Sequence, residues 1–325
     1  MADIYAGVDL GGTSVKCALG TADGKMVAET KIATTAHEGA ETVLERIGEA
    51  IEDLVNETGS RPVSLGMGVP GLVDIQEGVT RFLPNLAGHW KDVPAGPILS
   101  DALGCPVQLL NDVRTATLGE LTFGHGRGVN TMAFFALGTG VGGGIVVDGK
   151  LRLGPLGAAG ELGHMTILPD GPPCGCGSRG CVETLVGAPA IVAEGIRLMR
   201  IGLAPRLREL VEGDITRITP REMAEAAHSG DEDVKEAIVR AAGYLGLAVA
   251  NTITVLHPEL VVLGGGVANM GDLIFDRVRE VVQEDVRMFP ADEVRIESSL
   301  LEEKAGVMGA LALASRGIDA AGKSD

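Results

Sequence analysis

Apolar positions along this chain fall into short runs that end at glycine and longer stretches with helical spacing. Residues 4–10 are mostly apolar and stop at Gly11-Gly12; residues 15–19 follow at once, and Asp23-Gly24 sets a turn before residues 26–32. Runs of that length bounded by turn residues predict strands. Val43, Leu44, Ile47, Ile51, Leu54 and Val55 recur every three or four positions, which predicts a helix over 40–57. Residues 63–69 read as a strand broken by Pro70-Gly71. Residues 106–110 read as another, stopped by Asn111-Asp112, with a helix from 113 to about 123.

The opening pattern then recurs. Residues 131–137 are apolar, Gly138-Thr139-Gly140 is a turn, and residues 144–147 are apolar again. A strand, a glycine turn and a strand repeated after about 130 residues predict two related α/β lobes with a central cleft that each turn faces. Residues 185–250 read as mainly helical, with one helix over about 234–253. A buried strand at 260–263 ends at Gly264-Gly265-Gly266. Helices follow at about 271–283 and 305–315, and the polar stretch 317–325 reads as a frayed end.

Composition narrows this picture. A chain of 325 residues exceeds the size at which one core keeps growing, which supports two lobes. A hydrophobic fraction of 45% excludes disorder. The absence of a long unbroken apolar run gives the expectation of no membrane span. The net charge is −17, from 27 basic and 44 acidic residues, and aromatic residues make up 3%. A nucleic-acid partner calls for basic stripes or stacking platforms, so none is expected. Residues 1–6 offer neither a basic segment nor a long apolar one, so they do not read as a signal peptide. Three of the five cysteines fall at 174, 176 and 181, which is metal-type spacing and not a secreted disulfide framework. The expected compartment is the reducing cytoplasm.

Cys174-Gly-Cys176-Gly-Ser-Arg-Gly-Cys181, with His164 ten residues upstream, is the sharpest chemical signal. Three thiolates and an imidazole fill a tetrahedral Zn²⁺ site with no place left for water, so a zinc bound there is structural. Cys17 and Cys105 lie in or beside apolar runs and read as core thiols. Asp9-Leu-Gly-Gly-Thr13-Ser-Val-Lys16 is either a tight hairpin or an anion nest built from glycine amides and a threonine hydroxyl. Gly138-Thr-Gly140-Val-Gly-Gly143 has the G-x-G-x-x-G form, but a strand follows it and not a helix. That excludes a dinucleotide fingerprint and leaves a plain hairpin or a phosphate-cradling one. Gly264-Gly265-Gly266 is a tight turn or an approach for a nucleotide. Asp112 is either a helix N-cap or a carboxylate placed to take a proton from a hydroxyl. Glu161 and His164, three apart, can share one side of a turn.

Together these segments resemble the ROK-family sugar kinases, and among them the bacterial ATP-dependent glucokinases. The matching segments are Asp9 to Lys16, Gly68-Val-Pro-Gly71, Pro84-Asn85-Leu-Ala-Gly88, Asn111-Asp112, Gly138 to Gly144, Glu161-Leu-Gly-His164, Cys174 to Glu183 and Gly264 to Gly266, in family order. The resemblance implies an α/β fold of the actin/hexokinase-like (ribonuclease H-like) kind, two-lobed, with a zinc loop at 164–183. The small lobe would take 1–112 plus about 305–320, and the large lobe 113–304. It implies Asp112 as the general base, and Asn85, Asn111, Asp112, Glu161, His164, Glu183 and Gly71 at the sugar. Gly11, Gly12, Thr13, Lys16, Gly138, Thr139, Gly140, Gly264, Gly265 and Gly266 would hold ATP, with Mg²⁺ accompanying it. His164 would place one ring nitrogen on zinc and the other toward the sugar, beside Cys174, Cys176 and Cys181 as ligands.

One departure stands out: His89 separates Gly88 from Trp90 where such glucokinases often read Asn-Leu-x-Gly-Trp, which bears on the loop around Asn85 and on the hexose accepted. Glucose is the expected substrate. Another hexose, or an N-acetylated amino sugar such as N-acetylmannosamine or N-acetylglucosamine, is the alternative, and polyphosphate stays open as a donor. Sugar-responsive regulators of the superfamily place a helix-turn-helix before this body. Here the first glycine turn starts at residue 11, so the expectation is an enzyme, acting as a homodimer or homotetramer.

Overall fold

The computed structural model describes residues 2–83, 86–88 and 90–318. Asn85, His89 and most of the expected frayed end therefore lie outside the described residues. The chain divides into two compact units. The first takes Met1–Asn130, Gly144–Gly160 and Ser299–Asp325, and the second takes Thr131–Gly143 and Glu161–Ser298.

The first sheet is built from β1 (Tyr5–Leu10), β2 (Ser14–Gly20), β3 (Met26–Ala33), β4 (Leu65–Val69) and, after the small hairpin β5 (Leu72–Asp74) and β6 (Val79–Phe82), β7 (Val107–Asn111). Its order is β3-β2-β1-β4-β7. The three strands β1, β2 and β3 are antiparallel neighbours, whereas β4 and β7 run parallel to β1. Helix α1 (Ala40–Thr58) turns Val43, Leu44, Ile47, Ile51, Leu54 and Val55 into one core that includes Val8, Leu10, Leu65 and Met67. Helix α2 (Ala95–Leu103) adds Leu99 and Leu103 to that core, and α3 (Asp112–Phe123) leaves the end of β7.

A second sheet comprises β8 (Met132–Leu137), β9 (Val141–Val147), β10 (Lys150–Leu151), β11 (Leu260–Gly264) and β12 (Arg295–Ser298), in the order β10-β9-β8-β11-β12. Counted within each sheet, both orders read third, second, first, fourth, fifth. The repeat visible in the sequence is thus a repeat of topology. Strand β9 starts at Val141 and not at 144, because its glycines join the ladder as extended backbone. Between β10 and β11 the chain forms α4 (Val182–Val186), α5 (Ala188–Arg200), α6 (Pro205–Leu210), α7 (Pro220–His228) and α8 (Glu232–Leu256); α9 (Asp272–Asp285) follows β11. By length and composition α8 could cross a membrane, but it is a core helix that packs on α9, α7, α5 and α4.

The last helix, α10 (Ala305–Arg316), belongs to the first unit and lies on β1, β4 and α3. Bare backbone permits that contact. A Cβ built on Gly66 would sit 2.2 Å from the Ala310 carbonyl oxygen, and one on Gly309 would sit 1.7 Å from that of Thr115. This packing keeps α3 with the first unit, whose first segment runs to Asn130. Cys17 and Cys105 are buried free thiols. Burial, with Asp9 nearby, pushes Cys17 up to about 12, so it is inert at neutral pH.

Candidate active site

In the first unit, β1, β4 and β7 end along one edge: Asp9 pairs with Gly68, Gly68 with Leu110, and Val69 with Asn111. The carboxyl ends of parallel strands are where α/β sheets place ligands. Asn111 closes β7 and caps α3, its side-chain oxygen accepting from the Val113 and Arg114 backbone N–H groups at 3.1 and 3.2 Å. Asn111, not Asp112, is therefore the helix cap. Its amide donates to the Gly71 carbonyl at 3.1 Å and to Asp112 Oδ1 at 2.9 Å. Every donor of that amide is engaged within the protein.

Asp112 Oδ1 also accepts from the Val113 backbone N–H at 2.9 Å, so its internal hydrogen bonds fall on one oxygen. The side chain keeps some access to solvent, yet the surrounding protein desolvates it. That desolvation pushes its pKa up to about 6; the charge of Asp9 adds to the rise, while the Val113 N–H, Arg114 and Asn111 oppose it. Asp9 is itself raised by burial and held back by Lys16, its partner across the β1–β2 hairpin. Lys16 Nζ donates to the Glu303 carbonyl.

The 11–13 turn joins β1 to β2. The Gly11 N–H donates to the Ser14 carbonyl at 3.0 Å, and the Thr34 hydroxyl donates to the Gly11 carbonyl at 2.7 Å. Gly12 and Thr13 are exposed, which leaves this turn open to a ligand.

The second unit gathers the remaining residues. The Gly138 carbonyl accepts from the Ala188 N–H at 2.9 Å, which seats the 138–140 turn at the start of α5. Glu183, at the start of α4, accepts from the Val141 N–H through Oε2 at 3.1 Å. The Val267 N–H donates to the Leu137 carbonyl at 3.0 Å, so the 264–266 turn lies beside the end of β8 and hence beside Gly138. Glu161 precedes a 3₁₀ turn over Leu162–His164. That turn lies directly on β9: a Cβ on Gly163 would stand 1.7 Å from the Val141 carbonyl oxygen.

His164, Cys174, Cys176 and Cys181 bring their ligand atoms within 4.8 Å of one another. Cys174 Sγ lies 3.6 Å from His164 Nδ1, and Cys176 Sγ lies 3.8 Å from Cys181 Sγ. Zn–S bonds of about 2.3 Å and Zn–N bonds of about 2.0–2.1 Å put tetrahedral ligand atoms roughly 3.5–3.8 Å apart, so the cluster fits such an ion. Backbone hydrogen bonds shape the loop: the Cys174 N–H donates to the Ser178 carbonyl at 2.8 Å, and the Val182 N–H to the Met165 carbonyl at 3.0 Å. With Nδ1 in the cluster, Nε2 is the nitrogen left for a second partner.

The sequence profile of the ROK family matches residues 5–317. The chain belongs to the ROK family. A glucokinase of Thermotoga maritima is 35% identical over 310 residues, which cover 94% of this chain and 96% of that protein. The xylose repressor of Caldicellulosiruptor bescii is 30% identical over 310 residues, 94% of this chain and 77% of the repressor. A crystal structure of a ROK family glucokinase from Streptomyces griseus in complex with glucose and AMPPNP is similar with a TM-score of 0.82 at 31% identity, over 96% of this chain and 99% of that one. The ROK fold of this chain is accordingly the actin/hexokinase-like α/β type with mixed sheets.

Of the residues that motif reading selects, the first unit of this ROK protein holds Gly11, Gly12, Thr13, Lys16, Gly71, Asn111 and Asp112. The second holds Gly138, Thr139, Gly140, Glu161, His164, Cys174, Cys176, Cys181, Glu183 and Gly264 to Gly266. Asn85 lies outside the described residues. Motif reading misses Arg114, a side chain only 3% exposed that donates to Asn111 Oδ1 at 2.8 Å and to the Ala159 carbonyl at 3.0 Å. An arginine just past Asn-Asp reads as an ordinary helix residue, and the signal lies in its burial.

Proposed function

We propose that this protein transfers the γ-phosphoryl group of ATP to the primary hydroxyl of a hexose, with glucose the preferred acceptor. The observation that carries this reading is Asp112: a carboxylate at the strand edge, fastened through one oxygen, with a pKa raised to about 6. A base whose pKa lies just below neutrality is ionised when the reaction starts and still accepts a proton. The glucokinase named for Thermotoga maritima and the Streptomyces griseus glucokinase crystallised with glucose and AMPPNP support the substrate class.

In this reading Asp112 takes the proton of the sugar hydroxyl as that oxygen bonds to the γ-phosphorus. The bond from phosphorus to the bridging oxygen breaks, and ADP leaves. Glu161, Glu183, Asn85 and His164 Nε2 hold the sugar's other hydroxyls, while Asn111 and Gly71 keep Asp112 in place. Backbone amides at 11–13 and 138–140 bind the phosphates, with 264–266 beside the nucleotide. Mg²⁺ bound with ATP supplies neutralisation of phosphate charge. Zn²⁺ bound by His164, Cys174, Cys176 and Cys181 supplies rigidity, having no open position for chemistry. Because ATP is the donor, the reaction belongs in the cytoplasm.

A coupled ADP-release assay over glucose, mannose, fructose, N-acetylglucosamine and N-acetylmannosamine tests the reading. Glucose is expected to give the highest kcat/KM, with little ATP hydrolysis in the absence of sugar. Preference for an N-acetylated sugar would move the substrate and keep the reaction. No sugar-dependent turnover would favour the second reading, a non-catalytic sugar sensor, which the likeness to a xylose repressor brings forward.

A further inference from the structure

Helix α3 begins with the proposed base and, two residues later, buries a cation whose fork meets an amide oxygen and a main-chain carbonyl. Arg114 reaches Asn111 Oδ1 with one terminal nitrogen and the Ala159 carbonyl with the other. Asn111 is the residue whose amide holds both Asp112 Oδ1 and the Gly71 carbonyl. Ala159 stands two positions before Glu161 in the chain. A buried guanidinium is costly to desolvate and is retained where its planar fork serves two acceptors at fixed angles.

Resting on the kinase reading, we propose that Arg114 is a positioning residue for phosphoryl transfer. Its fork ties the amide that orients Asp112 to the backbone leading into Glu161, so one side chain sets both the proton acceptor and the segment that recognises the sugar. Two consequences separate this role from simple packing. The first is directional: lysine supplies the charge but not two coplanar donors, so Arg114→Lys keeps the field and loses the geometry. The second is electrostatic. Among the described residues, the charges that shift Asp112 are Asp9 on β1, which raises its pKa, and Arg114, which lowers it, with Lys16 across from Asp9. Strands β4 and β7 carry no ionisable side chain, α10 adds only Arg316 at its far end, and β10 only the exposed Lys150. Loss of the Arg114 charge therefore leaves burial and Asp9 less opposed.

The test compares wild type, Arg114→Lys, Arg114→Met and Asp112→Asn by kcat, KM for glucose, KM for ATP and the pH profile of kcat. Misplacing a catalytic group by about an ångström costs up to roughly a hundredfold, so Arg114→Lys is expected to lose ten- to hundredfold in kcat. It should also raise the glucose KM, leave the ATP KM unchanged, and keep the acidic limb of the profile where wild type has it. Arg114→Met is expected to lose at least as much and to move that limb to higher pH. Wild-type kcat, glucose KM and limb in both variants, beside an inactive Asp112→Asn, would overturn the proposal. Equal loss of glucose and ATP affinity in the lysine variant would overturn it too, since that marks general disruption. Full activity in Asp112→Asn would instead overturn the base assignment. If the methionine variant fails to fold, the lysine variant decides the question.

Discussion

A carboxylate with a pKa near 6 is ionised at neutral pH and mostly protonated at pH 5, and a protonated base cannot accept the sugar's proton. kcat is therefore expected to fall as the pH drops through about 6. Asp112→Asn is expected to lower kcat by about 10²–10⁴-fold while glucose still binds, checked by single-turnover kinetics and isothermal titration. Stability should move the other way. The fold raises this pKa, so the native state holds the proton more tightly than the unfolded chain between about pH 4 and 6, and ionising the group across that window costs stability. Asn at position 112 removes the cost, and the variant is expected to melt at or above the wild-type temperature at pH 7. At this scale the sequence was informative where a rare pattern marks a place: three cysteines and a histidine point to four side chains whose ligand atoms converge, and Asn-Asp after an apolar run marks the strand end that carries the proposed base. It was silent on Arg114 because its contacts to an amide oxygen and to a carbonyl leave no residue pattern, and on Asn111 as the cap because Asn111 and Asp112 both suit that position.

The 3₁₀ turn that carries His164 rests on β9 with no space between them, and Glu183 reaches the same strand from α4. A methyl group at position 163 cannot fit without lifting that turn. Gly163→Ala is expected to raise the glucose KM and to lower the zinc content of the purified protein, measured by steady-state kinetics and elemental analysis. Chelation of bound zinc is expected to weaken glucose binding first and ATP binding later, because in the proposed site the loop reaches the sugar through His164. Equal loss of both would contradict the loop's assignment. Elements were legible where the apolar run was unbroken or recurred at helical spacing. Strands β1, β2, β8 and β11 and helices α1, α3 and α8 follow the hydrophobic rhythm. The hairpin of β5 and β6 escaped it, being short, with Phe82 exposed to 61%. Strand β12 alternates Arg295, Ile296 and Glu297 over too few residues to register, and α2 opens on Gly96-Pro97, which reads as a turn.

Two sheets with one strand order between them account for the repeat that the sequence shows. The limits of the two units depend on where α3 and α10 pack, which local pattern does not carry. All four residues of the candidate metal cluster belong to the second unit. A chain ending at residue 304 is therefore expected to lose the protected amides of β1 and β4 in hydrogen exchange while keeping a protease-resistant second unit that binds one equivalent of zinc.

The close seat of α10 on Gly66 and Thr115 also bears on how the protein is made. Residues 1–130 leave the ribosome well before α10, the helix that covers their sheet. The second unit can close while the nascent first unit still waits. A bound chaperone or slow elongation ahead of α10 would consequently matter more for the half that is made earlier.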